Sequence, residues 1–333
     1  MAAQSEYHSN IAEAGINPVG AFARADWFAM LHAECLPEYQ PLVAAVTDGE
    51  ARLWLAMMRG NDHTVRSLAN WYSFDWRPIW GGQPDAGERL ALLDEWASSV
   101  KTHGSALYLS PVPQFHADSI SNALRRAGWF VSVDETSTNH WLETRGRSFA
   151  DWWEARPGAL RSTVQRKSKK RLVALEILTE FSDEAWDEFE VVYRASWKPA
   201  ESHPDFLRHW AAAESVAGRL RLGIARVDGQ AVAAQFWTVE DGIAYIHKLA
   251  HVSGQDALSP GTLLTHALFA HAFDADKVVG IDFGTGDDGY KRDWMEESAP
   301  LVTIAAWQPR SPRNWPALIR ELLRRVAMRR RHG

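Results

Sequence analysis

Between Leu220 and Ala250 the chain reads as three apolar runs separated by two Asp-Gly pairs, Asp228-Gly229 and Asp241-Gly242. Asp-Gly between apolar runs favours a tight hairpin, because the central residues of the common two-residue turn need positive φ. Leu220–Val227, Ala231–Val239 and Ile243–Ala250 are therefore predicted to form an antiparallel meander. A helical pattern follows at Gly261–Phe273, then a strand at Val278–Phe283, a helix at Asp288–Met295 and a strand at Leu301–Trp307. A meander continued by helix, strand, helix and strand belongs to the α/β class with a mixed, mostly antiparallel sheet. It is not a doubly wound nucleotide-binding sheet, and no Gly-x-Gly-x-x-Gly follows a strand.

The residues before this core repeat the same kinds of element. A helix is expected around Ala21–Glu34, and Leu42–Thr47, Asp48-Gly49 and Ala51–Met58 read as a hairpin. An aromatic stretch follows at Trp71–Pro78. Leu90, Leu93, Trp96, Ala97 and Val100 recur at helical spacing within Gly87–His103. Ala106–Leu109, Trp129–Val133 and Thr138–Glu143 are predicted strands, with a helix at Ser119–Ala127 ended by Gly128. Pro157 starts a further helix that ends in the basic run Arg166–Arg171, Leu175–Phe181 is a strand, and Ser182-Asp183-Glu184 caps a helix running towards Trp197. A chain of 333 residues suits two domains of this size. The expected division is 1–145, 146–310 and a helical tail at 311–333.

Composition narrows the function classes. No apolar run is long enough to span a bilayer, and MAAQSEYHSN lacks the features of a secretory signal, so a cytoplasmic protein is expected. The single cysteine, Cys35, cannot form an internal disulfide or a Cys-rich zinc site. The 17 tryptophans fill cores or, alternatively, serve a large apolar ligand. Net charge is −6, yet the residues from Arg310 onward carry eight arginines and one glutamate. That tail is +7 and the remainder −13. Such asymmetry points the tail to an anionic surface, while the acidic body argues against nucleic acid.

The region Gly218–Trp294, with the segments GRLRLGIARVDGQAVAAQFW, AYIHKLAHV, SPGTLLTHAL and IDFGTGDDGYKRDWM, carries a resemblance. With Gln165-Arg166-Lys167 and Ala195-Ser196-Trp197-Lys198, they are similar to a GNAT-like family of acetyltransferases associated with cellulose biosynthesis. Its relatives include the Fem-type aminoacyltransferases. The resemblance covers roughly Phe149 to Pro309 and implies tandem GNAT-like halves, with the chemistry in the C-terminal one. A Fem-type coiled-coil insertion is absent, which argues against transfer-RNA-dependent aminoacyl transfer. The chain also resembles bacterial ceramide synthases of GNAT type, implying a long acyl chain and a sphingoid-type amine. A short-chain acetyltransferase acting on an exopolysaccharide precursor, and a non-catalytic GNAT-like scaffold, stand beside that reading.

By the resemblance, a sheet opens beside Ile243–Ala250 to take the thioester of an acyl-CoA. Ser259, Pro260, Gly261 and Thr262 begin the next helix, whose N-terminal N–H groups suit a pyrophosphate, although the loop is poorer in glycine than is usual for GNAT enzymes. Arg166, Lys167 and Lys198 are candidates for the CoA phosphates, or plain solvated charges. His247, with an ordinary pKa near 6.5, is the candidate base. Strand alternation puts His247, His251 and Tyr245 on one face and Lys248 on the other, unless a bulge reverses it. Lys248 is a further catalytic candidate. Tyr290 is placed to protonate the leaving thiolate, and Asp282 to orient the acceptor amine. Asp287 and Asp288 read as caps for the helix carrying Tyr290; a metal site among these aspartates is not expected.

In the tail, Trp315, Leu318, Ile319, Leu322, Leu323 and Val326 fall on one helical stripe with arginines on its flanks. Such a helix docks on its own domain or lies in the plane of an anionic membrane. The second alternative would place the protein peripherally on the inner face of the cytoplasmic membrane.

Overall fold

The computed structural model describes residues 3–16 and 20–332, with side chains through Ala327. Two compact units are present, 1–137 with 299–333, and 138–298. The first begins with β1 (Gln4–His8), α1 (Ala25–Cys35) and the hairpin β2 (Gln40–Asp48) and β3 (Ala51–Arg59), followed by β4 (Thr64–Ser67) and β5 (Ile79–Gly81). Then come α2 (Ala86–Ser99), β6 (Ala106–Pro113), α3 (Gln114–Arg126) and β7 (Phe130–Glu143). Asp85 and Glu88 form a reciprocal capping box at α2. Its core face carries Leu92, Leu93, Trp96 and Ala97, whereas Leu90 is exposed.

The two strands predicted at Trp129–Val133 and Thr138–Glu143 are one, β7. Polar residues between them satisfied a loop pattern in the sequence, but extended backbone accepts polar side chains wherever a strand face meets water. The aromatic stretch Trp71–Pro78, between β4 and β5, is irregular, with Tyr72, Phe74 and Trp76 buried.

The second unit contains α4 (Phe149–Glu154), α5 (Gly158–Ser168), β8 (Ala174–Leu178), α6 (Asp183–Arg194) and α7 (Pro204–Val216). The meander β9 (Leu220–Val227), β10 (Gln230–Glu240) and β11 (Ile243–His251) follows, then α8 (Pro260–Asp274), β12 (Gly280–Thr285) and the single turn α9 (Lys291–Trp294). Asp228, Gly229, Asp241 and Gly242 all have positive φ, as tight hairpin turns require. Ser182 caps α6 by accepting from the Ala185 N–H at 3.2 Å. The last segment, β13 (Glu297–Trp307) and α10 (Trp315–His332), returns the chain to the first unit, where β13 pairs antiparallel with β6.

In the second unit the strand order is β7, β12, β11, β10, β9, β8, antiparallel except for β11 with β12. The α8 face of this sheet is an aromatic core. Trp152 stacks on Phe269 at 4.9 Å, and Trp237 meets Phe269 edge-on at 5.4 Å. Gly280 admits the Trp141 ring, which would lie 2.2 Å from any added Cβ. The opposite face packs Phe236 against Trp186 and Trp210.

Candidate functional site

β11 and β12 pair only at Ile243–Gly280, Ala244–Ile281 and Tyr245–Asp282. β11 then runs on to His251 and β12 to Thr285 with no further pairing between them among the described residues. The carbonyl groups at the free end of β12 have another partner. Lys291 Nζ donates to the carbonyls of Phe283, Gly284 and Thr285 at 3.2, 3.4 and 2.7 Å. One ammonium thus meets part of the hydrogen-bonding demand a neighbouring strand would otherwise meet. Lys291 is 4% exposed. Burial lowers its pKa to about 8, opposed by the Asp288 carboxylate and reinforced by Lys198. Nothing in the sequence singles out Lys291, because a lone lysine beside a tyrosine gives no signal of burial.

Beside the opening lies a cavity of about 340 Å³ whose lining includes Leu249 and His251 of β11, Ser259 to Thr262, and Tyr290 and Trp294. It gathers all four residues predicted at the α8 N-terminus together with the predicted thiolate partner. Ser259 is in the left-handed region, Pro260 occupies the first turn, and the helix has no side-chain cap. The first-turn N–H groups of an α-helix lack intrahelical partners and carry partial positive charge. Tyr290 is 39% exposed and sits edge-on to Phe283 at 5.7 Å. Its phenol is pushed above the ordinary range by desolvation and then by the Asp288 carboxylate. Tyr290 precedes α9, a shorter helix than predicted, as its N-cap residue. Asp287 and Asp288 therefore do not cap through the positions expected; Asp287 pairs with Arg292 at 2.7 Å.

The β10–β11 register slips between Phe236 and Trp237, which pair with Lys248 and Ile246 and leave His247 as the bulged residue. This corrects the expected face assignment. His247 lies against Trp210 and Phe236, with ring centroids at 4.3 and 5.0 Å, and its Nε2 is 2.7 Å from Thr238 Oγ1. Lys248 turns to the same α6/α7 face, pairing with Glu201 at 2.6 Å and lying over the Tyr193 ring. His251 turns to the α8 face, beside Gly261, with Asp256 at 3.0 Å and the Trp197 ring at 4.4 Å. An extra residue in one strand reverses side-chain alternation beyond it.

A second cavity of about 340 Å³ lies between α6 and α7. Trp186, Phe189 and Tyr193 give it an aromatic wall, with Glu190, Glu201 and Asp205 among its polar groups. Lys198 lines this cavity and not the one at α8; burial and nearby Lys248 lower its pKa. Lys167 Nζ donates to the Ala257 carbonyl, just before α8, whereas Arg166 is exposed on α5. Asp282 is buried and accepts from the Gly284 N–H at 2.8 Å. Among the described residues no three His, Cys, Asp or Glu side chains gather as metal ligands.

Residues 148–292 match the family described as the acetyltransferase (GNAT) domain. The similarity is confined to this stretch, less than half of the chain. It supports an acyltransferase, and such domains ordinarily take acyl-CoA. No curated protein matches the chain. Among solved structures, FemX superposes with a TM-score of 0.64 at 11% identity, covering 91% of this chain and 96% of that one. The C-terminal domain of a putative lysylphosphatidylglycerol synthetase from Agrobacterium fabrum gives 0.57 at 12% identity, with coverage of 94% and 95%. A tandem GNAT protein from the clavulanic acid biosynthesis pathway gives 0.53 at 14%, with coverage of 93% and 99%. At these identities the likeness is one of fold, and the fold is that of tandem GNAT proteins.

Proposed function

We propose that this chain is an N-acyltransferase that moves an acyl group from the thioester of acyl-CoA to an amine. The observation that carries the reading is the opening between β11 and β12, where one cavity joins the uncapped α8 N-terminus to Tyr290. Ser259 to Thr262 would receive the pyrophosphate, with Lys167 and Arg166 nearby for the remaining phosphates. Pro260 sits where its missing N–H would have no helical partner. Tyr290, a weaker acid than a thiol, would stabilise the departing sulfur by donating a hydrogen bond.

The acceptor belongs on the α6/α7 face, in the cavity that joins an aromatic wall to carboxylates. Carboxylates attract an ammonium and the aromatic wall suits an apolar body. His247, on that face, would take the amine proton, with Lys248 and Asp282 holding the surrounding charge. These features favour an amine with a long apolar chain, of sphingoid type, and the likeness to a protein named for lysylphosphatidylglycerol synthesis agrees with a lipid acceptor. The test is release of free CoA thiol with donors from acetyl- to palmitoyl-CoA and with sphingoid and sugar amines. Turnover confined to acetyl-CoA and sugar amines would favour the exopolysaccharide reading. No thiol release with any pair would leave a non-catalytic scaffold.

A further inference from the structure

The face of α10 turned toward its own unit is largely polar, and the face turned away is apolar. Leu318 and Glu321 are buried. The Glu321 carboxylate accepts from Ser132 Oγ at 3.0 Å, Arg324 Nε at 2.7 Å and Arg325 Nε at 2.9 Å. Arg325 also donates to the Val131 carbonyl at 2.7 Å and lies over the Phe130 ring, while Arg324 pairs with Asp134 at 2.7 Å. Five of the six stripe residues, Trp315, Ile319, Leu322, Leu323 and Val326, are 48–65% exposed. A surface helix ordinarily does the reverse, burying its apolar stripe.

We propose that this outward stripe is a docking surface for an anionic lipid bilayer, with α10 lying in the plane of the interface. Charge selects the occupant. Arg310, Arg313 and Arg320 are exposed around the stripe, and the sequence continues with Arg329, Arg330 and Arg331. Apolar side chains with flanking arginines and a tryptophan match the interfacial region of a bilayer carrying negative headgroups. A second copy fits less well. A two-fold contact through the stripe would bring the arginines that flank it in both copies towards one another. Among the described residues no helix is long and apolar enough to cross a membrane, so the contact is peripheral. The proposal concerns where the protein sits and stands apart from the chemistry proposed above.

The test is co-sedimentation of the full chain with vesicles of phosphatidylglycerol and phosphatidylcholine, against phosphatidylcholine alone. Binding is expected to the anionic vesicles and to weaken as salt rises. Arg313→Glu with Arg320→Glu should lower partitioning roughly twentyfold or more, each exposed arginine contributing about fivefold before its charge is reversed. Ile319→Ser with Leu323→Ser should lower it comparably while leaving thermal stability unchanged, because both side chains are exposed. The proposal is overturned if the chain stays in the supernatant with anionic vesicles, or if either pair of substitutions leaves sedimentation unaltered. It is also overturned if ultracentrifugation shows a dimer that I319S/L323S converts to monomer. Thiol release with a soluble amine, measured on the same variants, reads the chemistry separately.

Discussion

His247 and His251 lie four residues apart on β11 and face opposite sides of the sheet, His247 toward Trp210 and His251 toward Gly261. The bulge at His247 makes that division. It puts the candidate base on the face of the acceptor cavity and leaves the second histidine beside the helix that would hold the pyrophosphate.

His247→Ala is expected to lower the rate at neutral pH by about 100-fold, within the range of general-base catalysis. Part of the rate should return at alkaline pH, where the amine is already free. A pH–rate profile that keeps its wild-type shape would remove His247 from the mechanism.

Tyr290→Phe should lower kcat by at least about tenfold while KM for acyl-CoA changes less than about twofold. The hydroxyl contributes only as charge develops on the sulfur, so its loss is read in kcat. Steady-state kinetics with one acyl donor decide it; unchanged turnover excludes the assigned role.

Thr262→Asp places a carboxylate in the first turn of α8. The helix itself should be unharmed or slightly stabilised, because negative charge is favourable there. The same charge would repel a pyrophosphate, so KM for acyl-CoA should rise about tenfold or more with no fall in Tm. If KM is unchanged, the phosphates bind elsewhere.

Lys291 gives a pH signature in stability. Its pKa falls from 10.5 to about 8 on folding, chiefly through burial. Between those values the unfolded chain holds the proton more firmly than the folded one, so this residue makes stability rise with pH. Below about pH 8 both states are charged and the full burial cost remains. Relative to Lys291→Met, the wild type should gain up to about 3 kcal/mol between about pH 7.5 and 10.5. Parallel denaturant-unfolding curves across that range would rule this out.

Local rules made much of the second unit legible. The Asp-Gly pairs produced the meander, Ser182 capped α6, and Ser259-Pro260-Gly261-Thr262 opened α8 as expected. Each depends on backbone preferences within a few residues. The stripe on α10 was equally visible, since helical spacing alone puts Trp315 to Val326 on one face.

Other features depended on partners distant in sequence. The bulge at His247 exists because β10 and β11 differ by one residue between their pairing points, and neither strand reveals that alone. Lys291 is buried because three carbonyls at the end of β12 converge on it, which its neighbours in sequence do not announce. The direction of the α10 stripe was set by Glu321, whose contact with Ser132 spans 189 residues. Periodicity fixes which side chains share a face, because helix and strand geometry are local; which way that face points is decided by the tertiary surface that competes for it.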